Sequence, residues 1–589
     1  MNVVLSTLNS KFIHSSLALR YLKAYSEARG QAYDIVEYTI NMPVLHILSD
    51  ITERPMDVLG FACYIWNIEM TLHVVDLVKA VRPDVTIVLG GPEVSFNADD
   101  ILLSHPSVDY IVQGEGEEAF YQLIGALKDG DDGLETIIPG IRGRHRNGDI
   151  LGSTEVVEVK DLSTIPFPYT EDDLQDLEHK IMYYESSRGC PFSCQYCLSG
   201  NKNTVRFFPK ERIYKELRWF MDHKVKQIKF VDRTFNCAPK HHRPLMEFIR
   251  DAQTDTNFHL EMEPELMTEW ETNLLATSPK GRIQIEVGVQ STNKKTLDAV
   301  HRYNDWPYIQ QSIRPIIEAG NTHVHMDLIV GLPHEDINRF SQSFNDLFSL
   351  QPHALQIGFL KLLKGSGVRH MEEYQYVADP LAPYEVLSNH VMTYEDIRFL
   401  KHFEDVFERF YNSERFRTVF GYIGQQLINR QENAFSYFSD MTKEWLTRGY
   451  HKVNLKDIDQ IEFLYDYFIS KGQYIAAELL QYDTLVSYRG KVRSEAIGLP
   501  KQTKELLQSG ESFWRNEEIA SCYIPNYRFK EWRKIRQQYV EMKMSKDTAL
   551  YLGVTHLGEH SDNEELIVII DVNKEIQPFV RPIMLVEAK

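Results

Sequence analysis

The chain has 589 residues, 43% apolar and 25% charged, the balance of a soluble globular protein and not of a disordered or fibrous one. No apolar run reaches the roughly 18 residues that a membrane span needs, so no membrane partner is expected. Formal charge is −20, which disfavours a nonspecific nucleic-acid surface and weighs against DNA as a partner. At about 100–200 residues per domain the length predicts three or four domains. The first residues, Met1 to Ser6, read as a buried strand, without a basic segment and cleavage site, so a cytoplasmic protein is expected. Cysteines stand only at 63, 190, 194, 197, 237 and 522, too few for a disulfide-stapled secreted domain.

The first region alternates strands and helices. Val3 to Ser6 is a short apolar run, and Ser15 to Ala28 is amphipathic up to a stop at Gly30. Strands are predicted at Asp34–Tyr38, Val58–Ala62, Val85–Leu89 and Tyr110–Val112. Helices are predicted from Met70 to Val81 and through Leu127. This rhythm predicts a doubly wound parallel sheet, which binds ligands beyond the carboxyl ends of its strands. The loops there are Leu8-Asn9-Ser10-Lys11, Tyr64-Ile65-Trp66-Asn67, Gly90-Gly91-Pro92-Glu93 and Gly114-Glu115-Gly116. None is a Gly-x-Gly-x-x-Gly or Gly-Lys-Ser/Thr loop, which gives a dinucleotide or nucleoside triphosphate little support. Singly, each glycine reads as a tight turn.

Together, these loops resemble the cobalamin-binding domain that precedes many radical S-adenosylmethionine enzymes, over residues 1–145. The resemblance implies that Asn9, Tyr64, Trp66, Asn67, Gly90, Gly91, Pro92, Gly114, Glu115 and Gly116 help to hold cobalamin. The Asp-x-His-x-x-Gly motif of a lower axial histidine is absent; His14 sits in the first loop without that context, so no histidine-bound cobalt is expected. Residues 146–180 read as a linker, with the turn Ile165-Pro166-Phe167-Pro168.

Ile181 to Ser187 has strand character and leads into Arg188-Gly189-Cys190-Pro191-Phe192-Ser193-Cys194-Gln195-Tyr196-Cys197. Three thiolates on one loop can converge on one metal site. The alternative is structural zinc, which needs a closed set of four ligands, with Cys237, His241 or His242 as the fourth. The Cys-x3-Cys-x2-Cys spacing, the aromatic before the third cysteine and the strand ending in Arg-Gly resemble the radical S-adenosylmethionine superfamily. The resemblance implies a 4Fe-4S cluster held by Cys190, Cys194 and Cys197, with Phe192 and Tyr196 beside it. It also implies S-adenosylmethionine on the open iron, cleaved by one electron to a 5′-deoxyadenosyl radical.

Downstream, strands are predicted at Gln227–Val231, Phe258–Met262, Arg282–Val287, Thr322–Val330 and Ala354–Phe359, with helices between them. With the strand before the cysteines they make the six strands of a partial (β/α)6 barrel, whose chemistry belongs at the carboxyl ends. Asp232 and Asn236 follow the second strand, where the resemblance implies contact with the methionyl amino group. Glu286, Gln290 and Ser291 lie at the fourth, near the ribose and carboxylate. His325, one step before Asp327, reads as a structural inward histidine.

Residues 376–589 read as a mainly helical domain. Helices are predicted over Tyr384–Phe410, Arg415–Asn429, Glu432–Arg448, Leu455–Lys471 and Tyr474–Asp483, and strands over Ala549–Val554 and Glu565–Ile570. Phe463, Tyr465, Tyr467 and Phe468 read as core, and the basic run from Arg528 to Arg536 as a solvated face. The resemblance implies a cobalamin-dependent radical enzyme that methylates an unactivated carbon. Its alternatives are radical rearrangement or ring contraction without methyl transfer, and a non-catalytic corrinoid- or metal-binding protein. The expected partners are a small-molecule or peptide substrate in preference to RNA, and an electron donor such as flavodoxin or ferredoxin.

Overall fold

The seven residues Val3–Asn9 are all buried and form strand β1 of an N-terminal sheet. Asp34–Thr39 (β2) and Val58–Ala62 (β3) flank it in parallel, and Thr86–Gly90 (β4) and Tyr110–Val112 (β5) continue the parallel ladder beyond β3. Because the order departs from β1 in both directions, the carboxyl ends of β1 and β3 part at a switch point, where such sheets open a crevice. Helix Leu17–Glu27 begins at Ser16, whose Oγ accepts from the Leu19 amide at 3.4 Å. One face of the sheet is sealed by residues such as Ile47, Val74 and Val78, the other by Leu19, Phe120 and Leu123. The computed structural model describes all residues except 135–136, 202–203, 500–503, 530, 558–564 and 583–589.

Several elements add to the predicted order, among them the short helices Pro92–Ser95 and Ala98–Ser104. Val44–Thr52 is a helix. Ile141–Arg144 (β6) extends the sheet antiparallel to β5, and Ile150–Gly152 (β7) pairs antiparallel with β6 inside the stretch that read as a linker. Their turn holds Asn147-Gly148, with Gly148 at φ 93°. That dipeptide is a strong short-range hairpin signal, masked here by charged neighbours.

The strand expected over Ile181–Ser187 divides in two. Met182–Tyr184 (β8) belongs to a second sheet, whereas Ser187–Gly189 (β9) pairs antiparallel with Val205–Phe207 (β10), and the cysteine loop lies between β9 and β10. Gln227–Phe230 (β11), Asn257–Met262 (β12), Ile283–Gln290 (β13), His323–Val330 (β14) and Ala354–Phe359 (β15) complete that sheet in the order β15-β14-β13-β12-β11-β8. Its pairs from β8 through β14 are parallel. In β13 and β14 every second residue is fully buried, from Ile283 to Val289 and from Val324 to Val330. The alternate positions carry Gln284, Glu286, Gly288, Gln290, His323, His325, Asp327 and Ile329, mostly polar, and stay partly accessible. The barrel interior is therefore polar, where a closed barrel packs branched apolar side chains.

Met1–Ser343 with Ile357–Ile397 form one compact unit, and Phe344–Gln356 with Arg398–Lys589 a second. The first includes a two-stranded ladder of Val377–Ala378 (β16) and Val386–Ser388 (β17), where a helix from Tyr384 was expected; that helix begins at Tyr394. The second is mainly helical, over Arg417–Asn429, Ala434–Thr447, Asp457–Ser470 and Tyr474–Ser487. Phe463, Tyr467 and Phe468 are buried core, as their spacing implied, whereas Tyr465 is only partly buried. Tyr539–Ser545 (β18), Glu565–Asp571 (β19) and Phe579–Val580 (β20) form an antiparallel sheet. The strand expected over Ala549–Val554 is instead the end of helix Lys546–Tyr551, capped by Ser545 and stopped at Gly553, φ 65°. Of the basic run, Lys530 lies outside the described residues, and Trp532–Gln538 is helical. No helix among the described residues is long and apolar enough to cross a membrane.

Candidate functional site

The carboxyl ends of β1, β3, β4 and β5 surround a cavity of about 780 Å³. Of the predicted residues, Asn9, Tyr64, Trp66, Gly90, Gly91, Pro92, Gly114, Glu115 and Gly116 line it. Tyr64 and Trp66 stack with ring centroids 4.5 Å apart, and Trp66 Nε1 donates to the Leu8 carbonyl at 3.1 Å. Asn67 does not line the cavity. It is buried, donates to Thr7 Oγ1, Leu8 O and Ala62 O, and accepts from the Tyr64 amide at 2.7 Å. Its side chain ties the β1 and β3 ends together.

Two glycines are required by the protein's own backbone. A Cβ on Gly91, φ 105°, would stand 2.5 Å from the Cys63 carbonyl oxygen, and one on Gly114, φ 90°, would strike the Val157 backbone. Gly90 has no such constraint; its Cβ would make ordinary contact with Val112 at 3.6 Å. Glu115 accepts from Arg206 and from the Val159 amide, and Arg188 lies 3.3 Å away. Burial opposes its charge, yet these partners hold the carboxyl below its ordinary range.

The same cavity is lined from the barrel side by Tyr183, Glu185, Arg188, Val231 and Arg233. Sheet and barrel thus share one space. Its volume and its aromatic and apolar lining, with Tyr64, Trp66, Phe96 and Phe120, fit a bulky planar ligand such as a corrinoid. His14 lines it too, with Nδ1 held 2.6 Å from Tyr183 Oη, and burial pushes its pKa down.

The cysteine loop begins at Gly189, φ 97°, whose Cβ would strike Thr204. Cys190 Sγ lies 3.4 Å from Thr234 Oγ1, Cys194 is buried, and Cys197 Sγ accepts from the Ser199 amide at 3.4 Å. All six cysteines are free thiols. Arg302, which nothing in the sequence singled out, is the cation of this loop. Its Nη1 reaches Tyr196 Oη at 3.4 Å and Cys194 Sγ at 3.8 Å, while Nη2 donates to Glu263 Oε2 at 2.7 Å and to the Gly288 carbonyl. Burial pushes the Cys194 thiol up, and Arg302 and Tyr196 oppose that. Phe192 is half-buried on the same loop.

Among the described residues no three His, Cys, Asp or Glu side chains converge on one ion, as structural zinc requires. His241 is engaged by Ser186 Oγ at 3.1 Å and His242 by Glu271 at 3.1 Å, while burial pushes Cys237 up to about 11. A cubane places each thiolate on a separate iron, so its ligands need not meet at one point. The three loop thiols and the Arg302 charge fit such a cluster.

The residues expected at S-adenosylmethionine divide sharply. Asp232 is buried and accepts from Ser186 N at 2.8 Å, Ser186 Oγ at 2.7 Å and Ser187 Oγ at 2.5 Å. Asn236 is spent on both backbone groups of Glu263. Ser291 donates to Glu335 Oε1 at 2.7 Å and accepts from the Asn293 amide. Each of these three side chains anchors a loop. Glu286 faces the barrel interior, with Lys229 Nζ and His259 Nε2 each 3.0 Å from its Oε2; against burial, they hold its carboxyl at about 2. Gln290 sits at a bulge with φ 70°, strained for a side-chain-bearing residue, and folds back over Gly288. It makes the strand-end space above Gly288 fit a ligand with hydrogen-bonding edges such as S-adenosylmethionine.

One segment touches both cofactor loops. After β15, Gly365 packs against the Phe96 ring of the cavity wall, and Val368 N donates to the Gln195 carbonyl at 2.9 Å. Tyr384 Oη then donates to the buried Glu93 at 2.8 Å.

Three family models match the chain: the B12 binding domain over residues 3–124, the Radical SAM superfamily over 184–347, and "Protein of unknown function (DUF4080)" over 372–568. Among curated relatives, the cobalamin-dependent radical SAM methyltransferase TokK of Streptomyces tokunonensis is 26% identical over 62% of this chain and 57% of its own length. The 2-(S-pantetheinyl)-carbapenam-3-carboxylate methyltransferase of Streptantibioticus cattleyicolor is 28% identical over 56% of this chain and 52% of its own length. The chain thus spans little more than half of these relatives. Among solved structures, the radical S-adenosylmethionine methyltransferase TsrM from Kitasatospora setae, with cobalamin and a [4Fe-4S] cluster bound, matches with a TM-score of 0.54 at 16% identity, over 64% of this chain and 80% of that one. OxsB, a cobalamin-dependent S-adenosylmethionine radical enzyme with aqua-cobalamin and S-adenosylmethionine bound, matches at 0.52 and 15%, over 87% and 75%. At these identities the structural likeness speaks for the fold alone. A B12 binding domain and a Radical SAM domain are thus joined in one polypeptide around a shared cavity, the domain pairing of cobalamin-dependent radical S-adenosylmethionine enzymes.

Proposed function

We propose that the chain is a cobalamin-dependent radical enzyme that methylates an unactivated carbon. The observation that carries this is the shared cavity, walled by Gly90 and Tyr64 of the B12 domain and by Tyr183 and Arg233 of the barrel. When bound, the 4Fe-4S cluster with S-adenosylmethionine supplies hydrogen-abstracting radical chemistry, and cobalamin supplies a methyl carrier. Cys190, Cys194 and Cys197 would hold the cluster, with Arg302 setting the charge around Cys194. The β3 and β4 ends would hold the corrinoid. Arg188 keeps the two halves in register through Glu117 on one side and Glu185 on the other.

A small molecule or peptide is the substrate in preference to RNA or DNA, supported by the chain's charge of −20. Flavodoxin or ferredoxin is the electron donor, because the cluster must be reduced. Six free thiols suit a reducing cytoplasm, where we place the enzyme.

The test is anaerobic turnover with candidate substrates and S-adenosylmethionine labelled in its methyl group. Methyl transfer requires 5′-deoxyadenosine, S-adenosylhomocysteine and labelled product together. Deoxyadenosine with product but no label would overturn methylation in favour of rearrangement, and no cleavage by iron-replete, reduced protein would overturn the enzyme.

A further inference from the structure

Charge is distributed unevenly along the chain. Residues 201–250 hold 13 lysines and arginines against 5 acids, a local charge of +8 in a chain of −20. The barrel helices Lys210–Asp222 and Pro239–Asp251 carry seven of those 13 cations. Lys210, Tyr214 and Arg218 recur at four-residue spacing along one face of the first, and Lys240, Pro244 and Phe248 along one face of the second. The two stripes lie side by side. Tyr214 and Phe248 meet edge to face with centroids 5.0 Å apart, the Arg218 guanidinium stands 5.3 Å over the Phe248 ring, and Lys210 Nζ donates to the Lys240 carbonyl. Lys215, Arg218 and Lys240 are exposed, and Lys210, Tyr214 and Phe248 partly so. Arg212 and Arg243 are paired with Glu216 and Glu271, but among the described residues Lys210, Lys215, Arg218 and Lys240 form no ion pair. The acids beside Tyr214, Glu211 and Glu247, leave the face net positive.

This face adjoins the cysteine loop. Phe207 of β10, three residues before Lys210, packs on His241 with centroids 4.4 Å apart, and β10 pairs with β9, which leads into the cysteines. Helix Pro239–Asp251 follows Thr234, whose Oγ1 is 3.4 Å from Cys190 Sγ. We propose that this face docks the electron donor, a small acidic carrier protein whose carboxylates meet Lys210, Lys215, Arg218 and Lys240 and whose redox group comes to rest over the cysteine loop. A chain of charge −20 repels an acidic protein as a whole, so a local basic face decides where it lands. Tyr214 and Phe248 give that contact an apolar centre between the cations. One electron leaves the reduced donor and takes the cluster from its 2+ to its 1+ state, with no bond made or broken. This rests on the reading of the chain as a radical enzyme and adds where its reductant binds.

The probe is a bacterial flavodoxin, with a bacterial ferredoxin in parallel, titrated by anaerobic calorimetry into the reconstituted full-length protein. Binding of at least one of them should weaken at least about tenfold in Lys215→Glu with Lys240→Glu. The variant should also lose most of the salt dependence that the parent protein has between about 50 and about 300 mM salt. Iron content, unfolding midpoint and 5′-deoxyadenosine formation driven by dithionite, which needs no docking face, should stay within about twofold of the parent. Arg533→Glu with Lys534→Glu, which makes the same change of net charge on the C-terminal basic run, should leave donor binding within about twofold. Failure of both donors to bind the parent protein, unchanged binding in the first variant, or equal weakening in the second would overturn the proposal. So would a first variant that keeps its donor but loses affinity for single-stranded RNA, because the face would then serve nucleic acid. Protein that cleaves S-adenosylmethionine with dithionite yet binds neither donor refutes this inference alone. Protein whose cluster the donor reduces but which never cleaves S-adenosylmethionine refutes the function and leaves the docking face standing.

Discussion

Arg188 on β9 lies 2.6 Å from Glu117, the second residue of helix Gly116–Lys128, and 2.7 Å from Glu185, three residues before it in the chain. The strand that leads into the cysteines is thereby pinned to the helix that rises from the corrinoid cavity. The three side chains are between 6% and 11% exposed, so the pinning operates in a medium of low dielectric constant.

Arg188→Ala should therefore act on both sites at once. It strands Glu117 and Glu185 as buried carboxylates, a loss of about 3–5 kcal/mol by the measure of broken buried pairs. We expect a lower denaturant midpoint and reduced loading of both iron and corrinoid. Normal loading of either group at unchanged stability would refute the coupling.

Asp232→Ala tests whether this carboxylate serves the cysteine loop or S-adenosylmethionine. Three donors from Ser186 and Ser187 would lose their acceptor at the base of the cysteine loop. Buried donors left unsatisfied cost about 1–3 kcal/mol each, so iron loading should fall together with S-adenosylmethionine cleavage. Iron retained in full with cleavage lost would return Asp232 to direct contact with the ligand.

Two substitutions at the corrinoid cavity should part company. Gly91→Ala forces a side chain into φ 105° and against the Cys63 carbonyl, and should cost about 1–3 kcal/mol of stability. Ala18→Trp, at an exposed position of the cavity wall, should change stability by no more than about 0.5 kcal/mol. It should nevertheless lower corrinoid occupancy by obstructing the mouth. Absorbance after desalting, read beside the thermal midpoint, separates the two.

Stability should fall on the acid side through Glu271 and Glu286. Glu271 accepts from Thr268, Arg243 and His242, which hold its carboxyl at about 2 against burial, below the ordinary 4.5; Glu286 is likewise held at about 2. A carboxyl depressed on folding contributes stability that is complete above its unfolded pKa and is lost as pH falls through its folded one. The denaturant midpoint should thus decline between about pH 4.5 and 2. Glu271→Gln should flatten that decline; an unaltered slope would exclude Glu271 from it.

Removing the cation at Arg302 leaves the cluster loop with less positive charge. Arg302→Met should make any bound cluster harder to reduce, and Glu263→Gln in the same protein should recover stability by removing the stranded carboxylate. A potentiometric titration followed by electron paramagnetic resonance reads the first effect, and thermal unfolding the second.

What was legible in the sequence was what periodicity and spacing encode. Parallel strands buried on both faces, such as β3 and β4, read as apolar runs, and the cysteine spacing lies in seven consecutive positions plus one. What was hidden depends on three-dimensional closure. Asn67, Asp232 and Ser291 stand at strand ends where ligands belong, but only the fold shows that Thr7, Ser186 and Glu335 occupy their polar atoms. Arg302 is the converse. It lies more than a hundred residues from Cys194 in the chain and reaches it only when the fourth strand brings Gly288 alongside. The segment Ala549–Val554 misled because alternating Leu and Val mimic a strand, whereas Ser545 caps a helix just before it.

The segment that follows β15 bears on how this protein can be divided. A fragment ending at residue 347 would contain both the B12 binding and Radical SAM regions whole. It would still lack Gly365 against Phe96, Val368 on Gln195 and Tyr384 on Glu93. Cavity wall and cysteine loop would each lose a buttress supplied from beyond those two regions. A truncated enzyme cut there should be more readily nicked by proteases at both loops, and a working minimal version must run at least through Ser388.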